Sequence, residues 1–553
     1  MPKKSLKWII FGVLTAILLL VGWVFAQRPQ KVEMAAYVPA ETLVYLEAND
    51  LPKILQSLTE TNAWRELAPV YKIESDFGRL GWLNQILAAA NLGSTETIVA
   101  GRAQVAVVLL GLTAADAETA LKIRPNYAVV IETKSARAED FVDRQVGRFA
   151  RQQFGEIRIE KSERENATWT IFRSTQNEKQ LFAAVQGSIA VIGNEEETVQ
   201  ACLDAKNGKR KSLLDNEALE QARLSADAEH AFAFGFVAPA GVRELSQIGA
   251  IFAAGQIAEN PGAIGLLSQA LPPFAQKTVK SIAWTARSGA NGKIEDRLLI
   301  EMPKELVARL RDPLAASDSA NDVLAEMIPA QINSVTFYNF KNPQTAWRGF
   351  VMATIAQLDT VSAAVFSQAA GSLLEPYGVR DVNSFLGGVS GQLAVARLSD
   401  QGEKTIVFAA VRDLNAVRKS LQLGAEGKES ILANDILQLG SADGLETGKA
   451  AREQHSVLKT QDYWQDFVRV ENTLNPPFVQ TLAQDRETAV QFVKTLAREK
   501  NRSIVAPSGE KLPLWAWTKS ETRLVREGFE RRTLSAFGLV GTLVARISDE
   551  PEK

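Results

Sequence analysis

The stretch YVPAETLVYLEAND, residues 37–50, has a counterpart about 290 residues later in MIPAQINSVTFYNFKNP, residues 327–343. In both stretches a Pro-Ala pair leads into a strand-like run, and a turn with asparagine precedes another proline. Pro39 and Pro52, just beyond the first stretch, are 13 residues apart, and Pro329 and Pro343 are 14 apart. Because proline fixes φ and lacks an N–H donor, it suits a strand entrance and the first turn of a helix. The recurrence predicts a strand–turn–helix unit that the chain contains twice.

Four further pairs of segments recur in the same order along the chain. They are 101–107 with 391–396, 127–131 with 405–410, 212–215 with 456–459, and 283–285 with 516–518. Because all five echoes keep one order, a duplication explains them better than chance. We predict two related domains, 37–302 and 326–548, joined by a linker of helical character at 303–325. Residues 1–26 would form an anchor, 27–36 a short linker and 549–553 a tail.

Strand and helix patterns mix within the first unit. Phe232, Phe234 and Phe236 alternate with small residues, which is typical of a strand, and Asn291-Gly292 separates two strand-like runs as a hairpin turn. Hairpins mixed with helices favour an antiparallel sheet over a doubly wound parallel one. The predicted fold class is α+β, with an N-terminal single transmembrane helix followed by two tandem related domains of mainly antiparallel sheets and packed helices.

Two helices can be placed from local signals. Asn194 with Glu197 resembles a capping box and predicts a helix over 195–207 that stops at Gly208. A second helix has apolar residues at helical spacing, which predicts one buried face. These residues are Ala138, Phe141, Val142, Val146 and Phe149.

Residues 8–25, WIIFGVLTAILLLVGWVF, form an uncharged apolar segment. As a helix rising about 1.5 Å per residue it would be roughly 27 Å long, close to the hydrocarbon thickness of a bilayer. Lys3, Lys4 and Lys7 precede it, and positive charge before a span favours an N-terminus inside and a body outside the cytoplasm. The predicted anchor residues include Trp8, Ile9, Ile10, Phe11, Leu18, Leu19, Leu20 and Trp23.

A cleaved signal peptide is the alternative to this anchor. Val24 and Ala26 are small residues at the positions that cleavage after Ala26 requires, and cleavage would release a secreted body. The apolar run is longer than a usual signal-peptide core, which favours the uncleaved anchor. We therefore expect a single-pass protein of the bacterial inner membrane with its body on the periplasmic side. Membrane lipid is the predicted partner of residues 8–25.

The composition of the chain excludes several functional classes. The formal net charge is −2, and without the first 26 residues 59 basic side chains face 64 acidic ones, so the body has no electrostatic footprint for nucleic acid. Cys202 is the only cysteine, and His230 and His455 are the only histidines. These counts argue against an intramolecular disulfide and against a metal centre rich in histidine or cysteine. We expect no cofactor and no metal site.

Two short motifs have spacings that catalytic sites use. Ser456 and Lys459 fit the Ser-x-x-Lys pattern of cell-wall acylases, but the sequence lacks the accompanying Ser-Asp-Asn and Lys-Thr-Gly boxes. A helix-capping serine with an exposed lysine is the preferred interpretation. The segment 227–230, Asp-Ala-Glu-His, precedes a strand, where neighbouring side chains point to opposite faces, so a turn is preferred. Without any other catalytic motif, we predict no catalytic residue.

Two features remain as candidates outside catalysis. Cys202 shares an apolar helix face with Val199 and Leu203, so we interpret it as a small buried side chain rather than a nucleophile. A dense basic loop could contact anionic lipid headgroups or an acidic polymer, although a solvated turn is the preferred interpretation. Its cations are Lys206, Lys209, Arg210 and Lys211.

The apolar N-terminal segment, the opening 38–46 and the segments 187–193 and 212–216 resemble a family of bacterial membrane-anchored exported proteins. That family is known only as a domain of unknown function. The resemblance covers most of the first copy and fades in the second. It implies an exported, anchored protein and brings no catalytic residues with it.

These observations favour a non-catalytic, membrane-anchored extracytoplasmic protein that binds or scaffolds an envelope partner. Two related domains can pack as a pseudo-dimer with a cleft or surface between them. A first alternative is a carrier or sensor of an apolar ligand, which predicts a large void lined by aliphatic side chains. A second alternative is an envelope hydrolase, which predicts polar residues that converge in a cleft.

Overall fold

The computed structural model describes most of the chain beyond the N-terminal segment. The described residues are 32–48, 51–71, 104–117, 120–133, 138–256, 261–317, 322–399, 404–421, 428–455, 457–468, 475–497 and 513–548.

Eighteen strands form one sheet. They are β1 Val44–Ala48, β2 Gln104–Ala117, β3 Ala120–Glu132, β4 Ile157–Arg164, β5 Ala167–Ser174, β6 Gln180–Gln186, β7 Ile189–Gly193, β8 Ala233–Val237, β9 Ser281–Ser288, β10 Ile294–Glu301, β11 Ser334–Asn339, β12 Val389–Arg397, β13 Thr405–Val411, β14 Lys428–Ala433, β15 Ile436–Ser441, β16 Val479–Gln484, β17 Trp517–Leu524 and β18 Gly528–Ser535.

Helices cover both faces of this sheet. They are α1 Leu51–Thr59, α2 Asn62–Val70, α3 Ala138–Phe141, α4 Gly147–Phe154, α5 Glu196–Lys206, α6 Glu217–Ser225, α7 Pro239–Gln256, α8 Pro261–Thr278, α9 Lys304–Arg311, α10 Asp322–Ala325, α11 Pro343–Ile355, α12 Thr360–Ser372, α13 Val382–Gly388, α14 Leu414–Ser420, α15 Ala442–His455, α16 Asp462–Val468, α17 Arg486–Ala497 and α18 Gly538–Ser548.

Every strand pair in the sheet is antiparallel. The hydrogen-bonded neighbours give the order β4-β5-β6-β7-β3-β2-β1-β8-β9-β10-β18-β17-β16-β11-β12-β13-β15-β14. The predicted α+β class with mainly antiparallel strands is confirmed. One continuous sheet runs through both predicted units, so their boundaries at 302 and 326 stay a prediction.

The strand order repeats on the two sides of the β10–β18 pair. Outward from that pair, the first half runs β10-β9-β8-β1-β2-β3-β7-β6 and the second runs β18-β17-β16-β11-β12-β13-β15-β14, so each strand has a counterpart in chain order. Strands β4 and β5 extend the first half alone. We call the β10–β18 pair the junction.

Equivalent backbone hydrogen bonds are made by the two similar stretches, 37–50 and 327–343. The N–H of Leu213 donates to Val38 at 2.7 Å, and the N–H of Leu458 donates to Ile328 at 2.8 Å. Val38 therefore corresponds to Ile328, and this correspondence has the same sequence offset as the match of Pro39 with Pro329. The echo of 212–215 with 456–459 is wrong by one residue, because Leu213 corresponds to Leu458 rather than to Val457.

The registers of the paired strands extend this residue-by-residue correspondence from β1 and β11 to the junction. Directly opposite residues point to the same face, and two such rows follow from the matched openings. They are Ala106–Glu47–Phe234–Thr285–Arg297 and Ala394–Phe337–Gln480–Glu521–Arg532. The two rows meet where Arg297 lies opposite Arg532. An approximate dyad therefore passes between these arginines, and we call the face that carries both rows the front face.

The Ala-Trp-Thr echo does not mark equivalent positions. Trp284 lies in the middle of β9 opposite Leu298, whereas Trp517 begins β17 opposite Gln484. Trp517 is buried on the front face, where its ring stacks on Tyr463 with centroids 4.4 Å apart. Trp284 lies on the back face, because it alternates with Thr285 of the front row. The similarity of these two segments is therefore fortuitous.

Separate cores fill the front face of each half. The core of the first half packs Trp169, Phe234 and Phe236 against helix residues that include Cys202 and Leu219. The core of the second half packs Phe337 and Phe408 against α16, whose Trp464 and Phe467 contact Phe337 with ring centroids 5.4 and 5.7 Å away. Between these cores, the strands of the junction carry charged side chains on the front face.

The back face is shared between the halves near the junction. One core combines Trp64 and Phe232 of the first half with Phe492, Trp515 and Phe537 of the second. A second shared core contains α9, whose Leu306, Val307 and Leu310 pack with Phe478 and other residues. The segment predicted as a linker, 303–325, therefore contains a helix that contributes to the interior.

Two helix predictions need correction. The helix predicted over 195–207 is present as α5, but Asn194 does not cap it. Asn194 instead binds β3, accepting from the N–H of Tyr127 at 2.9 Å and donating to the backbone oxygen of Pro125 at 2.8 Å. The second helix contains a π-helical turn at Val142–Val146. That turn inserts an extra residue into the 3.6-residue period. Ala150 is consequently buried and Phe149 is exposed.

The hairpin prediction is confirmed, since Asn291 (φ 55°) and Gly292 (φ 61°) turn β9 into β10. The predicted membrane anchor, from Trp8 to Trp23, lies outside the described residues. None of the helices in the described part of the chain combines the length and the apolar composition that a membrane crossing needs.

Candidate functional site

The front face of the junction carries a row of ion-paired side chains, which we call the junction strip. It lies on β9, β10, β18 and β17, between the two front-face cores. Its members are Arg287, Glu295, Arg297, Lys519, Glu521, Arg523, Glu530 and Arg532. Charged side chains in the middle of an eighteen-stranded sheet are unexpected, because the front-face cores on either side of them consist of apolar side chains.

Glu530 lies at the centre of the strip and binds both arginines of the dyad. Its carboxylate accepts from Nε of Arg297 and from Nε of Arg532, the latter at 3.1 Å. Burial alone would raise the pKa of Glu530, but the charges and hydrogen bonds of Arg297 and Arg532 outweigh burial and lower that pKa. Glu530 is therefore ionised at neutral pH and holds the two arginines beside each other.

Two further ion-paired groups flank this centre. On β9, Arg287 contacts Glu295 at 2.6 Å and Asp227, in the turn after α6, at 3.2 Å. On β17, Glu521 contacts Arg523 and, at 3.0 Å, Lys519. The first group links β9, β10 and the turn after α6 within the first half, and the second lies within β17. The ion pair of the strip that crosses the junction is that of Arg297 with Glu530, which adds a directional contact to the strand pairing.

The strip is only partly covered. The side chain of Glu530 is 3% exposed, whereas those of Arg297, Arg532 and Arg287 are 17%, 29% and 34% exposed. The carboxylates of Glu530 and Glu295 thus lie beneath guanidinium groups that reach solvent, whereas Glu521 and its partner Arg523 are both buried. Helices α6 and α16, which cover the front-face cores, belong to different halves. The strip therefore presents a cationic surface between two helical layers.

A cavity of about 480 Å³ opens where β9 begins and β10 ends, near α6, the start of α7 and the end of α8. Ser281 and Glu301 lie opposite each other at its base, and the hydroxyl of Ser281 donates to Glu301 at 2.9 Å. Arg243 and Lys280 line it as well. Since Glu301, Leu299 and Arg297 are two residues apart along β10 and so point to the same face, the cavity lies on the front face, as the strip does.

The predicted basic loop engages acidic and carbonyl partners of its own. Lys206 donates to the side-chain oxygen of Gln186 at 2.9 Å, Lys209 contacts Glu165 at 2.6 Å, and Arg210 pairs with Glu41. The backbone oxygen of Lys211 accepts from Ala40 at 3.0 Å. Three of the four cations therefore serve local contacts, which leaves less charge for an anionic surface.

The other sequence candidates lie apart from one another. Cys202 is buried, and burial raises the pKa of its thiol to about 12. His230 lies in an exposed turn, where its Nδ1 donates to the carboxylate of Asp227 at 2.8 Å, and this hydrogen bond raises the pKa of His230. Lys459 contacts Glu326 at 2.6 Å, whereas Ser456 lies outside the described residues. Within the described ranges, no group of three or more His, Cys, Asp or Glu residues could hold a metal ion.

These positions and the strip complete the geometry of the candidate sites. Comparison with known protein families, curated proteins and solved structures finds no match.

Sequence reasoning missed the junction strip. On β18, Gly-Phe-Glu-Arg-Arg-Thr-Leu-Ser reads as a solvated edge, because charge on a strand usually faces water. A signal was nevertheless present: Glu295-Asp-Arg297 and Glu530-Arg-Arg532 place an acid two residues before an arginine in both halves. With the correct register of the duplication, these two segments would have been matched.

Proposed function

We propose that the protein is a membrane-anchored extracytoplasmic protein, non-catalytic, that binds or scaffolds an envelope partner through the junction strip. The half-buried Arg297–Arg532 pair carries this proposal. The anchor at residues 8–25 and the resemblance to an exported family supply the location, and both rest on the sequence.

The physical properties of the strip suit recognition. Arginines that are partly desolvated and held in place by carboxylates are preorganised, so little side-chain entropy is lost when a partner binds. Arginine is also among the residues that most often dominate binding energies at interfaces. Because Arg297 and Arg532 extend from hydrogen-bonded strands, a partner would meet a surface of fixed geometry.

The duplication supports a shared surface at this place. Two related α+β units that meet at a dyad resemble a dimer within one chain, and such an arrangement places equivalent residues of both units side by side. Arg297 and Arg532 are such equivalents. A surface built in this way needs both units, which gives a reason for the chain to keep the two copies together.

Site-specific photocrosslinking of the full chain in its native membrane tests the proposal. A photoreactive residue at Leu534 would lie on the front face, opposite Glu295 of the strip. The matched control is Arg531, which is exposed on the back face of the same strand. We expect a reproducible protein adduct from position 534 and none from position 531. Equal adducts from both positions, or none from 534, would contradict a docking role for the strip.

Protease access to intact and permeabilised spheroplasts tests the location. We expect protease added outside spheroplasts to digest the body, because the positive charges before residue 8 favour an external body. A body that is protected until the inner membrane is opened would overturn the proposed topology.

A further inference from the structure

The two arginines of the dyad are not matched by two carboxylates. Glu295 is the dyad counterpart of Glu530, since it lies opposite Leu534 just as Glu530 lies opposite Leu299. Symmetry would therefore give Glu295 the same role as Glu530. Glu295 instead contacts Arg287 at 2.6 Å, and Glu530 alone serves both Arg297 and Arg532.

The charges of the strip show the same imbalance. Its members are five cations and three carboxylates, a difference of two. Asp227 offsets one charge through its contact with Arg287 at 3.2 Å. Counted by contact, Arg287 with its two carboxylates carries one net negative charge, whereas Lys519 and Arg523 with Glu521 carry one net positive charge. Arg297 and Arg532 with Glu530 also carry one net positive charge. Partly buried excess charge is unfavourable unless an opposite charge meets it.

The hydrogen-bond donors of the pair are arranged for an acceptor. Arg297 uses Nε for Glu530, and its two terminal nitrogens have no protein acceptor among the described residues. Arg532 uses Nε and Nη2 for Glu530, at 3.1 and 3.4 Å. The remaining terminal N–H groups belong to side chains that are 17% and 29% exposed. Guanidinium groups with free terminal nitrogens bind carboxylate and phosphate oxygens in pairs.

We propose that the group recognised at the junction strip is a single oxyanion, a carboxylate or a phosphate, bound between Arg297 and Arg532. This inference rests on the proposed function, because it names the chemistry that a partner presents there. One oxyanion supplies the charge and the acceptors that Glu295 does not give to the pair. The site needs both halves, since each contributes one arginine.

The test uses the full chain in detergent micelles, titrated with inorganic phosphate and, separately, with acetate at constant ionic strength. Thermal unfolding and calorimetry report binding. We expect saturable stabilisation by at least one of these anions. The Arg297→Gln variant should bind roughly tenfold more weakly, because a charge-assisted pair of hydrogen bonds is lost. Arg531→Gln, on the opposite face, should bind as the unmodified chain does.

Three outcomes would overturn the inference: no saturable effect of either anion, an equal effect in Arg297→Gln, or an equal loss in Arg531→Gln. If Arg297→Gln fails to fold, Arg297→Lys replaces it. That variant keeps the positive charge but loses the paired N–H donors. We expect it to bind the anion more weakly than the unmodified chain does, but still measurably. Unchanged affinity would contradict binding by paired donors.

Vesicles with and without phosphatidylglycerol separate the sources of the oxyanion. If the chain binds free phosphate or acetate but shows no preference for the anionic vesicles, the oxyanion belongs to a soluble molecule or to a protein. A preference for anionic vesicles that Arg297→Gln abolishes assigns it to a lipid headgroup. The crosslinking test is independent: an adduct at position 534 with no anion binding would leave the proposed function standing and remove this inference alone.

Discussion

The carboxylate of Asp296, on β10, accepts the backbone N–H of Leu539 at 2.8 Å, so a strand of the first half caps the last helix of the second half. The same carboxylate accepts from the indole of Trp284 at 2.9 Å. Burial nevertheless raises the pKa of Asp296 to about 6, because these hydrogen bonds only partly offset desolvation.

This raised pKa predicts a pH dependence of stability. The folded chain holds the proton of Asp296 more tightly than the unfolded chain does. The stabilising contribution of protonated Asp296 to the free energy of unfolding is therefore complete below about pH 4 and is lost as pH rises through 6. Its upper bound is about 3 kcal/mol. Denaturant unfolding of the unmodified chain and of Asp296→Asn between pH 4 and 7.5 measures it. The difference in unfolding free energy between the two should change across this window, and parallel curves would contradict the assignment.

Lys293 predicts a dependence of opposite sign at higher pH. Its ammonium donates to the backbone oxygen of Trp517 at 2.7 Å, and burial lowers its pKa to about 8. The folded chain releases this proton before the unfolded chain does, so the contribution of Lys293 to stability should rise between pH 8 and about 10.5, by up to about 3 kcal/mol. Lys293→Met should lack this rise in the same denaturant experiment. An identical rise in the variant would assign it to another group.

Glu530 should be the most sensitive position of the junction strip. Replacement by Gln removes the one carboxylate in the described part of the chain that contacts both Arg297 and Arg532, and leaves two partly buried charges beside each other. We expect a loss of about 3 kcal/mol in unfolding free energy. The control is Glu527→Gln, in the turn before β18, which should change stability by less than about 0.5 kcal/mol. Similar losses in both variants would show that the strip contributes no specific stability.

Gly528 predicts a severe steric effect at the junction. Its φ of 149° is one that other residues rarely adopt, and an added Cβ would lie 2.1 Å from the backbone oxygen of Ile300 on the paired strand. Gly528→Ala should therefore cost about 3 kcal/mol or more. Gly371→Ala is the control, since a Cβ there meets nothing within 4 Å and alanine favours the helix α12. Circular dichroism during thermal unfolding should show a lower midpoint for the first variant only.

Cys202 should react only after unfolding. Its side chain is 0% exposed, and burial raises the thiol pKa to about 12, so the reactive thiolate is scarce at pH 8. We expect no labelling by a maleimide in the native protein and one label per chain in denaturant, measured by intact mass. Rapid labelling of the native chain would contradict the buried position.

The sequence predicts the individual strands and turns of each half better than it predicts how the two halves pair with each other. Period-two patterns and the Asn291-Gly292 turn indicate strands, because they depend on neighbours in the chain. Pairing of β10 with β18 joins residues 227 to 241 positions apart, and no local pattern encodes such a partner. The π-helical turn at Val142–Val146 is also invisible in the sequence, since it changes the period without a proline or a glycine.

The candidate site was hidden for a related reason. Arg297 and Arg532 look like solvated charges until the register places them opposite each other. An error of one to three residues in matching the copies, as in the 212–215 and Ala-Trp-Thr echoes, is enough to lose the dyad. By contrast, the burial of Cys202 followed directly from its helical face, because Val199 and Leu203 lie on the same side.

The order of the strands has a consequence for how the chain folds during its synthesis. Strand β10 has β9 as a neighbour as soon as residue 301 has been synthesised, but its other edge stays open until β18 is complete, at residue 535. During that interval an unpaired edge with Leu299 and Ile300 can pair with other chains, which is a common origin of aggregation. Nascent chains that stall between these two points should therefore depend on a chaperone.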